Sequence, residues 1–300
     1  MSKNVLVELS EAMAEAVENA GKATVMVNAR RRMPASGILY ASDLILTADH
    51  VVEREEDIKI VFGDNTEKSA SLAGRDPGSD LAVLKVNGSA GIVAAMTKTP
   101  GRVGQIVLAL GRPTNEGIQA SLGTISAVGG PVRTGRGAIL EQYIRTDSIP
   151  YPGFSGGPLV AADGSVVGIN TSGLGHGASL TIPAALAWKI GETLASHGHI
   201  RRGYLGIRSQ TVEIPESARS SLKSQQETGL LIVGIEKDSP SSKGGLMVGD
   251  ILTSVNGTPV LHHDELFAIL TGEIVGKSTP IEVLRGGTKA VVNVVIGERK

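Results

Sequence analysis

One short glycine-rich segment has the residue types that nucleophilic catalysis needs. It reads Gly153-Phe154-Ser155-Gly156-Gly157-Pro158. A nucleophilic serine requires an exposed hydroxyl and backbone N–H groups that point at the developing oxyanion. Glycines on both sides of the serine let the chain turn sharply and let a substrate approach the backbone. The segment therefore predicts Ser155 as a candidate nucleophile.

The same segment also fits G-x-S-x-G, the nucleophile elbow of α/β-hydrolases. That elbow leads into a helix, whereas Pro158 follows here at once and a strand pattern comes after it. The elbow also requires an acid and then a histidine after the serine, on a fold in which strands and helices alternate. The chain lacks that alternation, so an α/β-hydrolase esterase is a distant alternative.

Two upstream residues supply a base and an acid in a different order. His50 follows the strand-like run 43–47, and Asp80 directly precedes the apolar run 81–86. His, then Asp, then Ser is the chain order of the chymotrypsin-like triad. Asp49 is a rival acid, but adjacent residues on an extended chain point to opposite sides. Residues so far apart meet only if the fold unites them, as when two β-barrels face each other across a cleft.

The elements that must position these residues are short β-like runs between residues 23 and 182, separated by Gly, Pro, Asn and Asp clusters. Their spacing of roughly 8–12 residues is typical of a sandwich or barrel. Helices are predicted over 10–20, with Ser10 as N-cap, and over 183–196. From residue 204 an α+β module is predicted, in which Asn256-Gly257 is a strong hairpin signal.

Composition excludes several functions. The 300 residues carry 29 Lys and Arg against 30 Asp and Glu, so no basic excess favours nucleic acid. Cysteine is absent, which removes disulfides, thiol nucleophiles and zinc–thiolate sites. The histidines show no metal-ligand spacing, and the glycines fit neither a P-loop nor a dinucleotide fingerprint. No metal or cofactor is predicted; the histidines in question are His176, His197, His199, His262 and His263.

The first residues show no apolar signal-peptide core, and no later run is long enough for a membrane span. The chain as written is therefore predicted to be cytoplasmic, with a periplasmic or other extracytoplasmic location as the alternative if a leader is missing.

Taken together, the motifs resemble the HtrA/Deg family of serine proteases. The resemblance covers nearly the whole chain and rests on the segments around His50, Asp80 and Ser155 and on Thr181-Ile182-Pro183. It implies a mostly β fold, a chymotrypsin-like double six-stranded β-barrel followed by an α+β PDZ domain. The predicted domains are an N-terminal helical segment (1–22), a protease domain (23–198) and a PDZ domain (203–298).

The resemblance also implies roles for individual residues. Ser155 would be the nucleophile, His50 the general base and acid, and Asp80 the residue that orients His50. The backbone N–H groups of Gly153 and Ser155 would form the oxyanion hole. The loop 173–179 with Leu180 and Ile182 would wall the specificity pocket; it contains no carboxylate, so a basic P1 residue is disfavoured and a small aliphatic one favoured.

Phe154 departs from the family pattern, which usually has Asn or Asp at this position. A phenyl ring cannot fix the loop by hydrogen bonds, so either its packing preorganises the oxyanion hole or the resting loop is collapsed. The leading function is an ATP-independent serine endopeptidase that cleaves unfolded or misfolded polypeptides. The alternative is a chaperone-like or scaffold protein that binds peptides with little or no protease activity, because Phe154 perturbs the loop.

The C-terminal module carries the segment Tyr204-Leu205-Gly206-Ile207, which resembles the carboxylate-binding loop of the family's PDZ domains. Successive N–H groups at such a turn would bind the carboxylate of a peptide C-terminus, while the peptide pairs with the adjoining strand. Expected partners are therefore unfolded proteins and peptide C-termini, and neither nucleic acid nor a membrane. The family also leaves a homotrimer open, built here on aliphatic residues such as Leu6, Leu9 and Met13.

Overall fold

The computed structural model describes residues 4–88, 91–134, 138–174, 180–219, 222, 226–270 and 272–298. The chain divides into two compact units, residues 1–199 and 200–300. The mostly β architecture predicted from the sequence is confirmed. The predicted domain limits at 1–22, 23–198 and 203–298 stay predictions.

The first unit contains a closed antiparallel barrel with the strand order β1-β2-β3-β6-β5-β4. Alternating apolar residues fill it, among them the fully buried Val27, Ile45 and Ile60. The strands are β1 (Thr24–Asn28), β2 (Ala35–Leu39), β3 (Leu44–Ala48), β4 (Ile58–Val61), β5 (Glu67–Asp76) and β6 (Leu81–Val86).

A second closed barrel follows, with the order β11-β14-β13-β12-β7-β8. Strands β9 and β10 form a separate two-stranded ladder. The strands are β7 (Ile106–Gly111), β8 (Gln119–Gly129), β9 (Val132–Arg133), β10 (Ile139–Leu140), β11 (Tyr143–Thr146), β12 (Pro158–Ala161), β13 (Val166–Thr171) and β14 (Leu180–Pro183).

Two helices flank the barrels in sequence. Helix α1 (Val5–Gly21) begins before the predicted start because the Asn4 side chain, not Ser10, accepts the N–H of Leu6 at 3.1 Å. Helix α2 (Ala184–His197) follows β14 directly. A single-turn 3₁₀ helix (Asp49–Val51) follows β3. Among the residues that the structure describes, no helix is both long and apolar enough to cross a bilayer.

The second unit is an antiparallel sheet with the order β16-β17-β18-β20-β21, on which β19 pairs with β18. The predicted Asn256-Gly257 turn joins β18 to β19, with φ angles of 51° and 78°. Its elements are β15 (Gly203–Tyr204), β16 (Ile207–Glu213), α3 (Glu216–Arg219), β17 (Thr228–Ile235), α4 (Pro240–Gly244), β18 (Ile251–Val255), β19 (Thr258–Pro259), α5 (His263–Ile269), a 3₁₀ turn (Gly272–Ile274), β20 (Ser278–Arg285), β21 (Thr288–Val295) and β22 (Gly297–Glu298).

Candidate active site

The histidine and the acid predicted from the sequence lie in direct contact. His50 sits in the 3₁₀ turn after β3, and Asp80 ends the turn between β5 and β6. The Nδ1 of His50 lies 2.8 Å from Oδ2 of Asp80, and the His50 backbone N–H donates to Oδ1 at 2.9 Å. Strands β3 and β6 are neighbours in the barrel, which brings the two turns together. A carboxylate on Nδ1 leaves Nε2 as the nitrogen that can accept a proton.

Asp80 is completely buried and has a left-handed backbone, with φ of 55°. The preceding turn is fixed by the carboxylate of Asp76, which accepts the N–H of Ser79 at 2.9 Å. Thr171, at the end of β13 in the second barrel, donates its hydroxyl to Oδ2 of Asp80. Three donors therefore hold this carboxylate, and one of them comes from the other barrel.

Asp49, the rival acid, has a different partner. Its carboxylate is buried and accepts a hydrogen bond from Nε of Arg75 at 2.7 Å. The Nδ1 of His50 meets Asp80 instead, as expected if neighbouring side chains leave the backbone in different directions.

Ser155 and His50 line one cleft of about 410 Å³ between the barrels. In the part of the chain that the structure describes, the hydrogen-bond partner of the Ser155 hydroxyl is the hydroxyl of Ser172 at 3.1 Å. No hydrogen bond joins Ser155 to His50 there. Catalytic hydrogen bonds of this kind are often loose without substrate and tighten when it binds.

The loop before Ser155 presents two free N–H groups. Gly153 has φ of 86°, a conformation that strains any residue with a side chain, and an added Cβ would meet Pro113. Among the described residues, the N–H groups of Gly153 and Ser155 have no acceptor, while the next N–H, that of Gly156, donates to Asn170 at 2.8 Å. Two free N–H groups with one residue between them can together bind an oxyanion.

Phe154 packs into the core of the second barrel. Its side chain is 2% exposed and meets the ring of Tyr151 edge-to-face at 5.4 Å. At Gly111, the last residue of β7, an added Cβ would lie 2.5 Å from the Phe154 ring, so only glycine leaves room for it. Packing thus holds the loop in place. The alternative of a chaperone-like or scaffold protein, in which Phe154 perturbs the loop, finds no support.

The predicted wall of the specificity pocket stays a prediction. Leu180 and Ile182 are buried in β14, where they pair with Thr171 and Ile169, and neither is among the described residues that line the cleft. The remaining part of that prediction, residues 175–179, lies outside the described residues. The described cleft lining includes two arginines, Arg30 and Arg32, and no carboxylate.

The predicted carboxylate-binding loop of the second unit lies between β15 and β16. Leu205 is buried, and its carbonyl accepts the N–H of Ser241 at 3.0 Å. Within the described ranges, the N–H groups of Leu205 and Gly206 have no acceptor. Tyr204 donates its hydroxyl to Glu236, and this hydrogen bond raises the pKa of Tyr204. Ile207 begins β16, the edge strand of the sheet.

Sequence reasoning missed three hydroxyl side chains around the site. Thr171 holds Asp80, Ser172 contacts Ser155, and the buried Ser36 donates to the carbonyl of Gly153 at 2.7 Å. A polar residue inside an apolar strand pattern was the available signal for Ser36 and Thr171, because a buried hydroxyl needs a partner. Nothing in the sequence indicated which partner each would have.

Two family models match the chain, one within each of its two compact units. Residues 35–169 match the model of the trypsin-like peptidase domain, and residues 203–296 match that of the PDZ domain.

Curated relatives match most of the chain. A probable periplasmic serine endoprotease DegP-like of Ectopseudomonas mendocina (strain ymp) is 35% identical over 269 residues, 87% of this chain and 56% of the relative. The corresponding protein of Rhizobium meliloti (strain 1021) is 33% identical over 276 residues, 89% of this chain and 54% of the relative. The chain thus spans about half the length of the curated relatives that it matches.

Solved structures match the fold over nearly the full length. The serine endoprotease from Yersinia pestis is 31% identical with a TM-score of 0.79, over 96% of this chain and 98% of that one. The HtrA-type protease AlgW with tripeptide is 30% identical with a TM-score of 0.79, over 96% and 97%.

The cytoplasmic location predicted from the sequence is wrong. The matched relatives are named periplasmic endoproteases, which points to an extracytoplasmic location. The prediction rested on the first residues and on the lack of a run long enough for a membrane span. The folded domains could not correct it, because a chain without cysteine carries no thiol chemistry that depends on the compartment.

Proposed function

The chain belongs to the HtrA/Deg family of serine proteases, and on that basis we propose that it is an ATP-independent serine endopeptidase that cleaves unfolded or misfolded polypeptides. The observation that carries the proposal is the cleft itself. Ser155 and an Asp80-oriented His50 line it together, next to the free N–H groups of Gly153 and Ser155.

In the proposed reaction, the hydroxyl of Ser155 attacks the scissile carbonyl while Nε2 of His50 takes its proton. The carbonyl π electrons move to oxygen, where the N–H groups of Gly153 and Ser155 bind the oxyanion. As the C–N bond breaks, His50 gives the proton to the leaving amine, and an acyl-enzyme forms. Water then repeats the sequence, and Ser155 recovers its proton. Asp80 keeps the Nδ1–H tautomer and stabilises the imidazolium.

The charge of the cleft bears on the substrate. Arg30 and Arg32 line it, and no described lining residue is acidic. An arginine or lysine side chain at P1 would thus gain no carboxylate partner and would meet like charge. We propose that the enzyme disfavours basic P1 residues and accepts small aliphatic ones.

We further propose that the second unit binds peptide C-termini. The free N–H groups of Leu205 and Gly206 would bind the carboxylate, and the exposed edge of β16 would pair with the extended peptide. Helix α5 lies beside that strand, since Nε2 of His263 is 3.1 Å from the Ser209 carbonyl oxygen. The related protease AlgW has been solved with a decapeptide and with a tripeptide.

A hydrolysis assay on unfolded casein tests the protease proposal. The wild type should release peptides without added nucleotide, and Ser155→Ala should release none. Ser172→Ala is the matched control, because it removes a neighbouring hydroxyl that has no chemical role in the scheme. Cleavage that persists in Ser155→Ala, or a folded wild type that never cleaves, would refute the proposal.

A titration tests the peptide proposal separately. Ser155→Ala protein should bind an apolar peptide with a free C-terminus and should bind its C-terminally amidated form much more weakly. Equal affinity for the two forms would refute the carboxylate site while leaving the protease proposal intact.

A further inference from the structure

The peptide group between Gly153 and Phe154 lies between the two proposed oxyanion donors, the N–H groups of Gly153 and Ser155. We propose that Ser36 is a positioning residue for these donors, because its hydroxyl fixes that peptide group from the first barrel. The inference rests on the proposed function and adds a residue that the triad does not include.

The hydrogen bonds of Ser36 have only one possible direction. Its side chain is fully buried in β2 and lies between two backbone groups, the N–H of Arg112 at 2.8 Å and the carbonyl oxygen of Gly153 at 2.7 Å. The N–H can only donate, so the hydroxyl oxygen accepts there. A serine hydroxyl has a single proton, which therefore goes to the carbonyl of Gly153.

The same peptide group is held at its other end. The N–H of Phe154 donates to the carbonyl of Tyr151 at 3.0 Å. With its carbonyl on Ser36 and its N–H on Tyr151, the plane of this peptide is fixed. The donors of Gly153 and Ser155 belong to the peptide groups on either side of it. Glycine has more backbone freedom than residues with a side chain, and the hydrogen bond from Ser36 restricts that freedom at Gly153, whose φ is 86°.

Ser36 is itself held in place by both barrels. Its backbone N–H donates to the carbonyl of Ser155 at 3.2 Å, and its carbonyl accepts the hydroxyl of Thr47 at 2.7 Å. Arg112, which follows β7, is 7% exposed, and its Nε donates to the carbonyl of Thr24 at 3.0 Å. The backbone N–H of Arg112 and the hydroxyl of Ser36 are therefore both held in place. Through the bond from Ser36 to the Gly153 carbonyl, they hold the oxyanion loop in place as well.

The test compares Ser36→Ala with Thr253→Val in the full chain. Thr253 is also buried, in β18 of the second unit, and its hydroxyl donates to the carbonyl of Glu282 at 3.2 Å. Both variants lose one buried hydroxyl-to-carbonyl bond, so both should lose stability to a similar degree. Steady-state kinetics on a peptide substrate and thermal unfolding are measured for each, well below the unfolding midpoint.

We expect Ser36→Ala to lower kcat about tenfold with little change in KM, because the donors act mainly in the transition state. Thr253→Val should keep the wild-type kcat. Ser36→Cys, which retains a weak donor, should fall between Ser36→Ala and the wild type and serves if Ser36→Ala does not fold.

An unchanged kcat in Ser36→Ala, or an equal loss in Thr253→Val, would overturn the inference and leave the proposed function standing. A wild type that shows no hydrolysis would overturn both.

Discussion

Phe154 makes the loop around Ser155 part of a barrel core. The position was expected to need a hydrogen-bonding side chain, and a phenyl ring there raised two opposite possibilities. In the structure the ring is buried against Tyr151, and Gly111 leaves space for it. Apolar packing thus replaces polar fixation, and the stability of the loop depends on the second barrel.

Removing the ring should therefore affect both stability and chemistry. We expect Phe154→Ala to lower the free energy of unfolding by about 3–5 kcal/mol, the usual cost of such a cavity. Phe62→Ala, at a buried ring in the first barrel, should cost a similar amount. Only Phe154→Ala should also slow the reaction of Ser155 with a fluorophosphonate probe. Equal labelling rates in the two folded variants would show that the ring does not position the loop.

Asp49 and Asp80, the two candidate acids of the triad, have different partners, Arg75 and His50 respectively. We expect Asp80→Asn to lower kcat by about four orders of magnitude, because an amide on Nδ1 favours the wrong histidine tautomer. Asp49→Asn should weaken only the contact with Arg75 and keep kcat near the wild-type value. Steady-state kinetics distinguish them, and similar losses in both variants would contradict the assignment of Asp80.

At the scale of elements, an ion pair joins the turn before β18 to the end of β20. It is formed by the buried Asp250 and the partly exposed Arg285. Asp250 is 1% exposed, and its two carboxylate oxygens accept hydrogen bonds from Nε and Nη2 of Arg285, both at 2.8 Å. Burial acts to raise the pKa of Asp250, but the hydrogen bonds from Arg285 and from the Met247 N–H outweigh it and hold the pKa below its ordinary value.

This pair makes the stability of the second unit depend on pH. A carboxyl whose pKa is lowered by folding stabilises the fold above its ordinary pKa of about 4, and the contribution is lost as pH falls below that value. We expect Asp250→Asn to lower the free energy of unfolding at neutral pH by about 2–3 kcal/mol, less than a fully buried pair because Arg285 is partly exposed.

Urea unfolding at about pH 7 and about pH 3 measures this dependence. The difference in stability between wild type and Asp250→Asn should shrink at the lower pH, because the carboxyl is then largely protonated in the unfolded chain and the lowered pKa of the folded state no longer gives its full stabilisation. Lys289→Gln is a control that should show a smaller effect, because it breaks an ion pair whose carboxylate, that of Glu282, is more exposed than that of Asp250. A difference that stays constant with pH would contradict the assignment.

What could be predicted from the sequence at this scale was local. The Asn256-Gly257 turn and the end of α2 near Gly198 follow from the conformations that these residue types favour. The start of α1 was missed because both Asn4 and Ser10 can cap a helix and the structure uses Asn4. The partners of Ser36 and Thr171 depend on contacts between the barrels, and local patterns carry no information on those.

At the scale of the whole molecule, the reacting groups come from two closed barrels. The first supplies His50 and Asp80, and the second supplies Ser155 and the Thr171 hydroxyl that holds Asp80. Neither barrel contains a complete site. The resemblance to a known family, and not the periodicity of the sequence, predicted that these residues lie together. Neither the resemblance nor the periodicity led to the correct cellular location.

The N-terminal helix carries an exposed apolar surface that fits self-association. Leu6 is 76% exposed and Leu9 43% exposed. If a trimer forms through α1, changing both residues to Asp should lower the mass measured by sedimentation equilibrium to that of a monomer. Val291→Asp, at a 56% exposed site in the second unit, should leave the mass unchanged. A wild type that sediments as a monomer would contradict the trimer.

Reaction with a fluorophosphonate, followed by mass spectrometry of the intact and digested protein, tests most directly whether His50, Asp80 and Ser155 act together. The folded wild type should take up one probe per chain on Ser155, the rate should fall sharply in His50→Ala, and Ser155→Ala should take up none. A folded wild type that stays unlabelled, or a probe that attaches equally to Ser155→Ala, would contradict the assigned site.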